Sequence, residues 1–345
     1  MPNFGDLSNL SAEKLKELET ILMSILALPA ARETYAQIID GTPIRTPYSD
    51  DIKAFTSHLR ETIITGENSK PSDQAMQKYE EIRTKFAPQG LKVDLQLAQN
   101  YQNARPDSRE HLLRLLEIAA ASVNTLAGMI YASFHPSTNI TPPEPPEGHD
   151  WQFRRTDHFY VDFYHTNYQR FDNYPFGLLN VVGYWAEAEL FGGIVLFERG
   201  ESGSEIINAF MHPQTANHAF QLSENQLQGF ANLGIADNAA GIAGAETLLP
   251  FAKNPDARTE LTFARAGQAP LRIYKNEYDR PPFSYVPLQQ NCVIRHDEGL
   301  EEALRVIKEN GWDKETYEEL FQAQPSLRDT LSSKYGSQSA NKKGQ

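Results

Sequence analysis

Imidazoles, carboxylates and aromatic rings are concentrated in residues 151–212, and these are the side chains best suited to chemistry. Zinc accepts imidazole nitrogen and carboxylate oxygen, and a catalytic zinc keeps one coordination position open for water or substrate. A His and an Asp that share a pocket also serve as acid and base. The predicted metal ligands are His158, His165 and His212, and the predicted catalytic carboxylates are Asp162 and Glu187.

No fixed ligand spacing supports this set, so a structural network of buried His and Asp side chains is the alternative interpretation. The same stretch is rich in aromatic residues. Such residues suit a flat aromatic ligand, because ligand pockets are mostly apolar with a few converging polar groups. They would serve equally well in the core. The predicted substrate-binding residues are Tyr160, Tyr164 and Trp185.

Several familiar catalytic motifs are absent from the sequence: GxGxxG, the P-loop, GxSxG, HExxH, CxxC and the His-x-x-x-His spacing of dicopper sites. The turn ERGESGSE contains glycines, but its glutamates would repel a phosphate, so it is read as a hairpin turn. The net charge of −13 argues against a nucleic-acid partner. The single cysteine, Cys292, rules out an intrachain disulfide and is read as a buried apolar residue.

The first half of the chain is predicted to be helical. Ser11 can cap a helix with apolar residues at three- and four-residue spacing, and Ser72 begins another. Asp107 and Glu110 form a capping-box pattern that starts a long helix over residues 108–134, apolar nearly all round. A helix of that kind has to be surrounded by other elements. We expect Glu117 on this helix to pair with a basic residue, and His135 to contact carbonyls at a helix C-terminus.

The second half is predicted to mix strands and helices. Alternation over residues 156–165 predicts a strand, and 175–190 predicts a helix that Gly192 and Gly193 end. Strands 194–198 and 206–211 should flank the ERGESGSE turn. The remaining predictions are a short helix beginning at Ser223, a loop or broken helix over 236–250, and strands 259–263 and 271–274 around a turn.

These elements predict an α+β fold with a helical N-terminal half around a long buried helix, and a C-terminal half with mainly antiparallel strands. We expect a helical domain over residues 1–136, a proline-rich linker over 137–150, a mixed domain over 151–336 and a disordered tail over 337–345. The N-terminus lacks the apolar region of a secretory signal, which favours the cytoplasm, and no membrane association is expected. Homo-oligomerisation stays open.

A resemblance adds to this interpretation. The segments GYWAE at residues 183–187 and FGGIVLFERG at residues 191–200, with Tyr174-Pro175 before them, resemble a family of proteins of filamentous fungi. Within it the chain is similar to the cyclopenases of quinolone alkaloid pathways, which are haemocyanin-like and use zinc. The sequence departs from haemocyanins because it lacks their paired histidine motifs, which argues against dioxygen chemistry.

The resemblance implies a zinc-dependent lyase of fungal secondary metabolism. The implied reaction contracts the seven-membered ring of a cyclopenin-type bicyclic epoxide to give a viridicatin-type quinolone, with loss of carbon dioxide and methylamine. Zinc would act as a Lewis acid, and the partner would be a small aromatic alkaloid. Two alternatives stay open: a non-catalytic haemocyanin-like carrier or assembly protein, and a metal-free isomerase or dehydratase that uses a His and an Asp.

Overall fold

The computed structural model describes residues 3–44, 70–136, 163–165, 167–168, 171–214, 216, 218–235, 238–261 and 272–279. Apart from Ile44, these residues belong to one compact unit built from Met1–Pro43, Lys70–Glu144 and Val161–Cys292. The predicted linker at residues 137–150 lies outside the described residues, so the proposed domain boundary stays a prediction.

The α+β fold class is confirmed. Within the described residues, the helices of the first half are α1 (Ala12–Leu26), α2 (Pro29–Asp40), α3 (Asp73–Lys85), α4 (Leu95–Asn103) and α5 (Arg109–Phe134). Those of the second half are α6 (Leu178–Phe191), α7 (Glu224–Asn232) and α8 (Asn238–Leu248). Two short strands, β1 (Phe4–Gly5) and β2 (Val93–Asp94), pair antiparallel beside the first group.

Helix α5 is the centre of the described unit, as its all-round apolar sequence predicts. It contacts α1, α2, α4, α6 and α7. Its length and composition would allow it to cross a membrane, but 78% of its most apolar stretch is buried inside the protein. Glu117 on this helix pairs with two arginines, Arg114 and Arg199, which confirms the expected ion pair.

A five-stranded antiparallel sheet belongs to the second half, in the order β6, β5, β4, β3, β7. The strands are β3 (Ile194–Arg199), β4 (Ile206–His212), β5 (His218–Gln221), β6 (Thr259–Leu261) and β7 (Ile273–Tyr274). The register of the central pair places Ile194 opposite His212 and Leu196 opposite Phe210. Because opposed residues share a face, His212 lies on the same side of the sheet as these three apolar side chains.

Several local predictions are confirmed and several are wrong. Ser11, Ser72 and Ser223 each cap a helix, and Ser223 forms a complete capping box with Gln226. The cap of α5 is Ser108 rather than Asp107, which instead has a positive φ of 60°. Helix α2 is not among the predicted elements. Pro29 occupies its first turn, where proline is well tolerated.

Two corrections concern the second half. Residues 238–248 form a helix, α8, where an alanine- and glycine-rich loop or broken helix was predicted. Strands β6 and β7 were predicted as neighbours around a turn, but they lie at opposite edges of the sheet. Of the predicted strand over residues 156–165, the described part, 163–165, is not in a strand, and the remainder lies outside the described residues.

Candidate acid–base site

Helix α6 positions the candidate site against the sheet. It ends at Gly192, whose φ of 86° is the left-handed conformation that glycine adopts most easily at a helix C-terminus. Tyr184 and Glu187 are three residues apart, so they lie on one face of the helix. This face packs on the sheet, where Tyr184 joins a buried cluster with Ile194, Leu196 and Phe210. Glu187 is completely buried.

The buried carboxylate of Glu187 is held by the sheet. Its Oε1 accepts hydrogen bonds from the Lys275 ammonium at 2.7 Å and from the Val195 backbone N–H at 2.9 Å. Desolvation raises the pKa of Glu187, and Lys275 and Val195 oppose that rise. Its second oxygen, Oε2, is also buried, and a hydrogen bond from the side chain of Asn124 on α5 further opposes the rise in pKa.

Asp279 follows β7 and meets the phenol of Tyr184, which donates a hydrogen bond of 2.5 Å to its Oδ2. Asn276 supports both groups, since its amide nitrogen donates to the Tyr184 hydroxyl and its oxygen accepts the Asp279 backbone N–H. Desolvation raises the pKa of Asp279 to about 6, against the lowering effect of the Tyr184 hydrogen bond. Asp279 as a residue is half-buried, but its carboxyl group is desolvated, and that desolvation is what raises its pKa.

His212 is buried and its two ring nitrogens both have partners. Nε2 lies 2.8 Å from the carbonyl oxygen of Ala216, which can only accept, so Nε2 carries the proton. Nδ1 therefore accepts a hydrogen bond from the Tyr168 hydroxyl at 2.8 Å. Burial lowers the pKa of His212 to about 4. The imidazole is consequently neutral at physiological pH, and its tautomer is fixed by these two contacts.

His165 completes a group of contacting rings. Its ring centroid lies 5.0 Å from that of Tyr168 and 5.5 Å from that of His212. Nδ1 accepts the backbone N–H of Asn167 at 3.2 Å, so in the neutral ring the proton is on the buried Nε2. Desolvation, with a contribution from His212, lowers the pKa of His165 well below its usual value. A hydrogen bond to the His212 backbone favours the protonated ring.

We call His165, Tyr168, Tyr184, Glu187, His212, Lys275 and Asp279 the acid–base cluster. Tyr168 links its two parts, because its ring lies 5.3 Å from that of Tyr184 and also contacts both imidazoles. Half-buried aromatic residues border the cluster at Tyr164, Phe171 and Tyr278. The arrangement combines two neutral imidazoles, an ion pair and a carboxyl group whose pKa burial raises to about 6. These are the groups that proton transfer requires.

The described part of the cluster does not fit a zinc site. Among the described residues, no three His, Cys, Asp or Glu side chains are grouped so that they could hold a metal ion. Both nitrogens of His212 have other partners, and Nδ1 of His165 accepts a hydrogen bond, which leaves the proton on Nε2 where a metal would bind. His158 and Asp162 lie outside the described residues, so zinc binding stays a prediction.

The structure brings together three of the predicted residues, His165, His212 and Glu187. Tyr164 lies at the border of the cluster. Trp185 is buried one residue after Tyr184 and packs on Phe163, at a centroid distance of 4.6 Å. Tyr160, like His158 and Asp162, lies outside the described residues.

The sequence prediction missed Lys275 and Asp279, although both lie just after a predicted strand. A lysine that directly follows the apolar pair Ile273 and Tyr274 is a weak signal for an inward-facing charge. Its partner, Glu187, lies 88 positions earlier in the chain. Sequence spacing cannot reveal a pairing of that kind.

No protein-family model, no curated protein and no solved structure matches this chain. The proposals below therefore rest on the geometry of the described residues and on the resemblance noted in the sequence.

Proposed function

We propose that the chain is an enzyme that transfers protons to and from a small neutral molecule bound at the acid–base cluster. The observation that supports this most is the Asp279 carboxyl group. It is buried, which raises its pKa to about 6, and it receives a short hydrogen bond from Tyr184. A group whose pKa lies near the working pH can both donate and accept protons efficiently. Perturbed carboxyl groups of this kind concentrate at functional sites.

Each member of the cluster has a role in this proposal. Asp279 exchanges the proton with the substrate, and Tyr184 orients its carboxyl group. The Lys275 ammonium neutralises Glu187, which would otherwise disfavour any negative charge that develops beside it. His212 and Tyr168 form a second hydrogen-bonded pair, in which the neutral imidazole accepts from the phenol. The half-buried aromatic border at Tyr164, Phe171 and Tyr278 contacts the apolar part of the substrate.

The finer proposal follows the resemblance: a ring-contracting lyase of the cyclopenase type, acting on a neutral aromatic alkaloid. Opening an epoxide and expelling an amine both need a proton donor, which fits the Asp279 carboxyl group. Zinc is a separate proposal for this reaction, because the described residues alone do not supply its ligands. When bound, it would polarise the substrate's carbonyl or epoxide oxygen.

The test is incubation of the purified protein with a cyclopenin-type substrate, with and without a chelator, followed by mass analysis of the products. Because the donor acts in its protonated form, we expect turnover to fall as the pH rises through about 6. Asp279→Asn should reduce turnover by about 10²- to 10⁴-fold, the usual contribution of a positioned acid or base. Tyr79→Phe is a control for the loss of a buried hydrogen bond outside the cluster, since the Tyr79 hydroxyl donates to the Leu26 carbonyl between α3 and α1.

The outcomes separate the two levels of the proposal. Turnover that resists the chelator supports proton transfer without metal, and turnover that the chelator abolishes, together with stoichiometric zinc in metal analysis, supports the zinc proposal. No turnover would remove the cyclopenase assignment only. The site itself is tested by carbon NMR titration of the Asp279 carboxyl group: a pKa near 4 would contradict the acid–base proposal and leave the non-catalytic carrier.

A further inference from the structure

A second group of ionisable side chains lies in the helical half, away from the acid–base cluster. Lys14 and Glu17 come from α1, Tyr101 from α4 and His111 from α5. The Lys14 ammonium nitrogen lies 2.6 Å from His111 Nδ1, and His111 Nε2 lies 2.9 Å from Glu17 Oε1. The second oxygen of Glu17 accepts a hydrogen bond of 2.8 Å from the Tyr101 hydroxyl. The four side chains thus form one continuous chain of contacts.

The contacts fix the direction of proton transfer in this group. The Glu17 carboxylate can only accept, so the proton of the neutral imidazole is on Nε2. Nδ1 therefore presents its lone pair to the Lys14 nitrogen. This is the order found where a carboxylate orients an imidazole and the imidazole takes a proton from a nucleophile. Here the group in the nucleophile's position is an amine.

Burial of Lys14 favours its uncharged form, since the residue is only 7% exposed. The Tyr101 ring, whose centroid lies 4.7 Å from the Lys14 nitrogen, acts in the opposite direction and attracts the ammonium. Burial lowers the pKa of Lys14, while the negative charge of Glu17 partly opposes that change. Burying a lysine in the first turn of a helix contributes little to the stability of the fold, because an exposed ammonium at that position would be well hydrated. Desolvated lysines are the ones that serve as nucleophiles.

We propose that Lys14 is a nucleophilic amine that forms an imine with small neutral aldehydes, activated by His111 and Glu17. His111 Nδ1 takes a proton from the Lys14 ammonium, and the freed lone pair of the amine attacks the carbonyl carbon. The imidazolium returns the proton to the carbonyl oxygen, giving a carbinolamine. Loss of water then forms the carbon–nitrogen double bond. The amine and the aldehyde are the only reactants, and one water is released.

The small size and neutrality of the aldehyde follow from the site. Because Lys14 is only 7% exposed, it can be reached only by a small reagent. The neighbouring Glu17 side chain, which is 25% exposed, is negative and disfavours anions. This site does not depend on the proposed function at Asp279. It would give the chain a second, covalent mode of binding.

The test is reductive trapping of the folded, full-length protein with acetaldehyde and cyanoborohydride at pH 7, with modification mapped by peptide mass spectrometry. Lys16 is the matched internal control, because it is two residues away on the same helix and exposed. An ordinary lysine has about 0.04% free amine at pH 7, so even a modest activation is measurable. We expect Lys14 to react about tenfold faster than Lys16, and Glu17→Gln and His111→Gln to remove that difference.

Either of two results would overturn the proposal. The first is Lys14 labelling no faster than Lys16 in the wild-type protein. The second is a rate at Lys14 that stays unchanged in both variants while circular dichroism shows them folded. A variant that unfolds would label both lysines equally and lose helical signal. In that case the wild-type comparison of Lys14 with Lys16 decides alone.

Discussion

The buried ion pairs of Glu117 allow a quantitative prediction of stability. Its Oε1 contacts Arg199 at 2.6 Å and its Oε2 contacts Arg114 at 2.9 Å, and the three side chains are at most 8% exposed. The change Glu117→Gln keeps the shape of the side chain but removes its charge. Two guanidinium groups would then share a buried site, and the remaining carboxylate would be the exposed Glu110, 3.8 Å from Arg114. Removing one partner of a buried pair typically costs about 3–5 kcal/mol.

That cost would be a large share of the total stability, which is about 5–15 kcal/mol for folded proteins. In urea unfolding the slope is about 1–3 kcal/mol/M, so the midpoint of Glu117→Gln should fall by about 1 M or more. The matched control is Glu80→Gln on α3, which contacts Arg83 at 2.8 Å but is 37% exposed. For such an exposed pair the expected loss is about 0–1 kcal/mol.

Equal midpoints for Glu117→Gln and Glu80→Gln would refute the reasoning. That result would mean that solvent or neighbouring dipoles compensate the two arginines without a carboxylate. A fall in midpoint with a changed slope would instead point to a change in the unfolded or native ensemble, and a calorimetric measurement of the two variants would separate the cases.

Two further predictions concern other parts of the described unit. His212 has a pKa of about 4 when folded and 6.5 as its reference value, so between these values the folded state binds fewer protons than the unfolded state. The difference corresponds to about 3 kcal/mol of stability, which is present above pH 6.5 and is lost as the pH falls to 4. In unfolding measured against pH, His212→Gln should remove this part of the acid sensitivity. A Cβ at Gly183 would overlap the Asn124 side chain between α5 and α6, so Gly183→Ala should cost about 1–3 kcal/mol in thermal unfolding. A Cβ at Gly229 on α7 would have its nearest contact at an ordinary 3.5 Å from Leu248, so Gly229→Ala should be neutral or stabilising by up to about 1 kcal/mol. Equal melting temperatures for the two variants would contradict the packing argument.

The elements that the sequence predicts well are those with strong local signals. The long apolar run that forms α5 requires burial whatever surrounds it, and the paired glycines after α6 specify a helix end on their own. The capping box at Ser223 is likewise readable from two residues. In each case the physical cause lies within a few positions of the chain, so no tertiary information is needed.

The errors arise where local and distant interactions compete. Alanine and glycine over residues 238–248 give a weak intrinsic preference, and packing of α8 on α1 and α7 decides in favour of a helix. Small residues make that packing close: a Cβ at Gly241 would approach the Ser24 hydroxyl of α1 to 2.5 Å. The pairing of β7 with β3 rather than with β6 is also a property of the whole sheet. Neither feature has a signal within its own segment.

The candidate site illustrates the same limit. His165, His212 and Glu187 were identified by residue type alone, since buried imidazoles and carboxylates are unusual wherever they occur. Their partners were not identified, because Lys275 and Asp279 are ordinary surface residues by composition. Only the fold removes them from water. Residue types therefore predict which groups are candidates, while the sheet register determines which groups meet.

Lys275 joins the structural ion pairs to the acid–base cluster. Its backbone carbonyl accepts a hydrogen bond of 2.5 Å from Arg199, the partner of Glu117, and its ammonium holds Glu187. Strand β7 pairs with β3 at only two positions, so these side-chain contacts help to fix where Asp279 lies. Loosening Arg199 through Glu117→Gln should then expose the Asp279 carboxyl group and lower its pKa from about 6 toward its ordinary value. A variant that loses stability but keeps the titration of Asp279 would show that the two buried systems act independently.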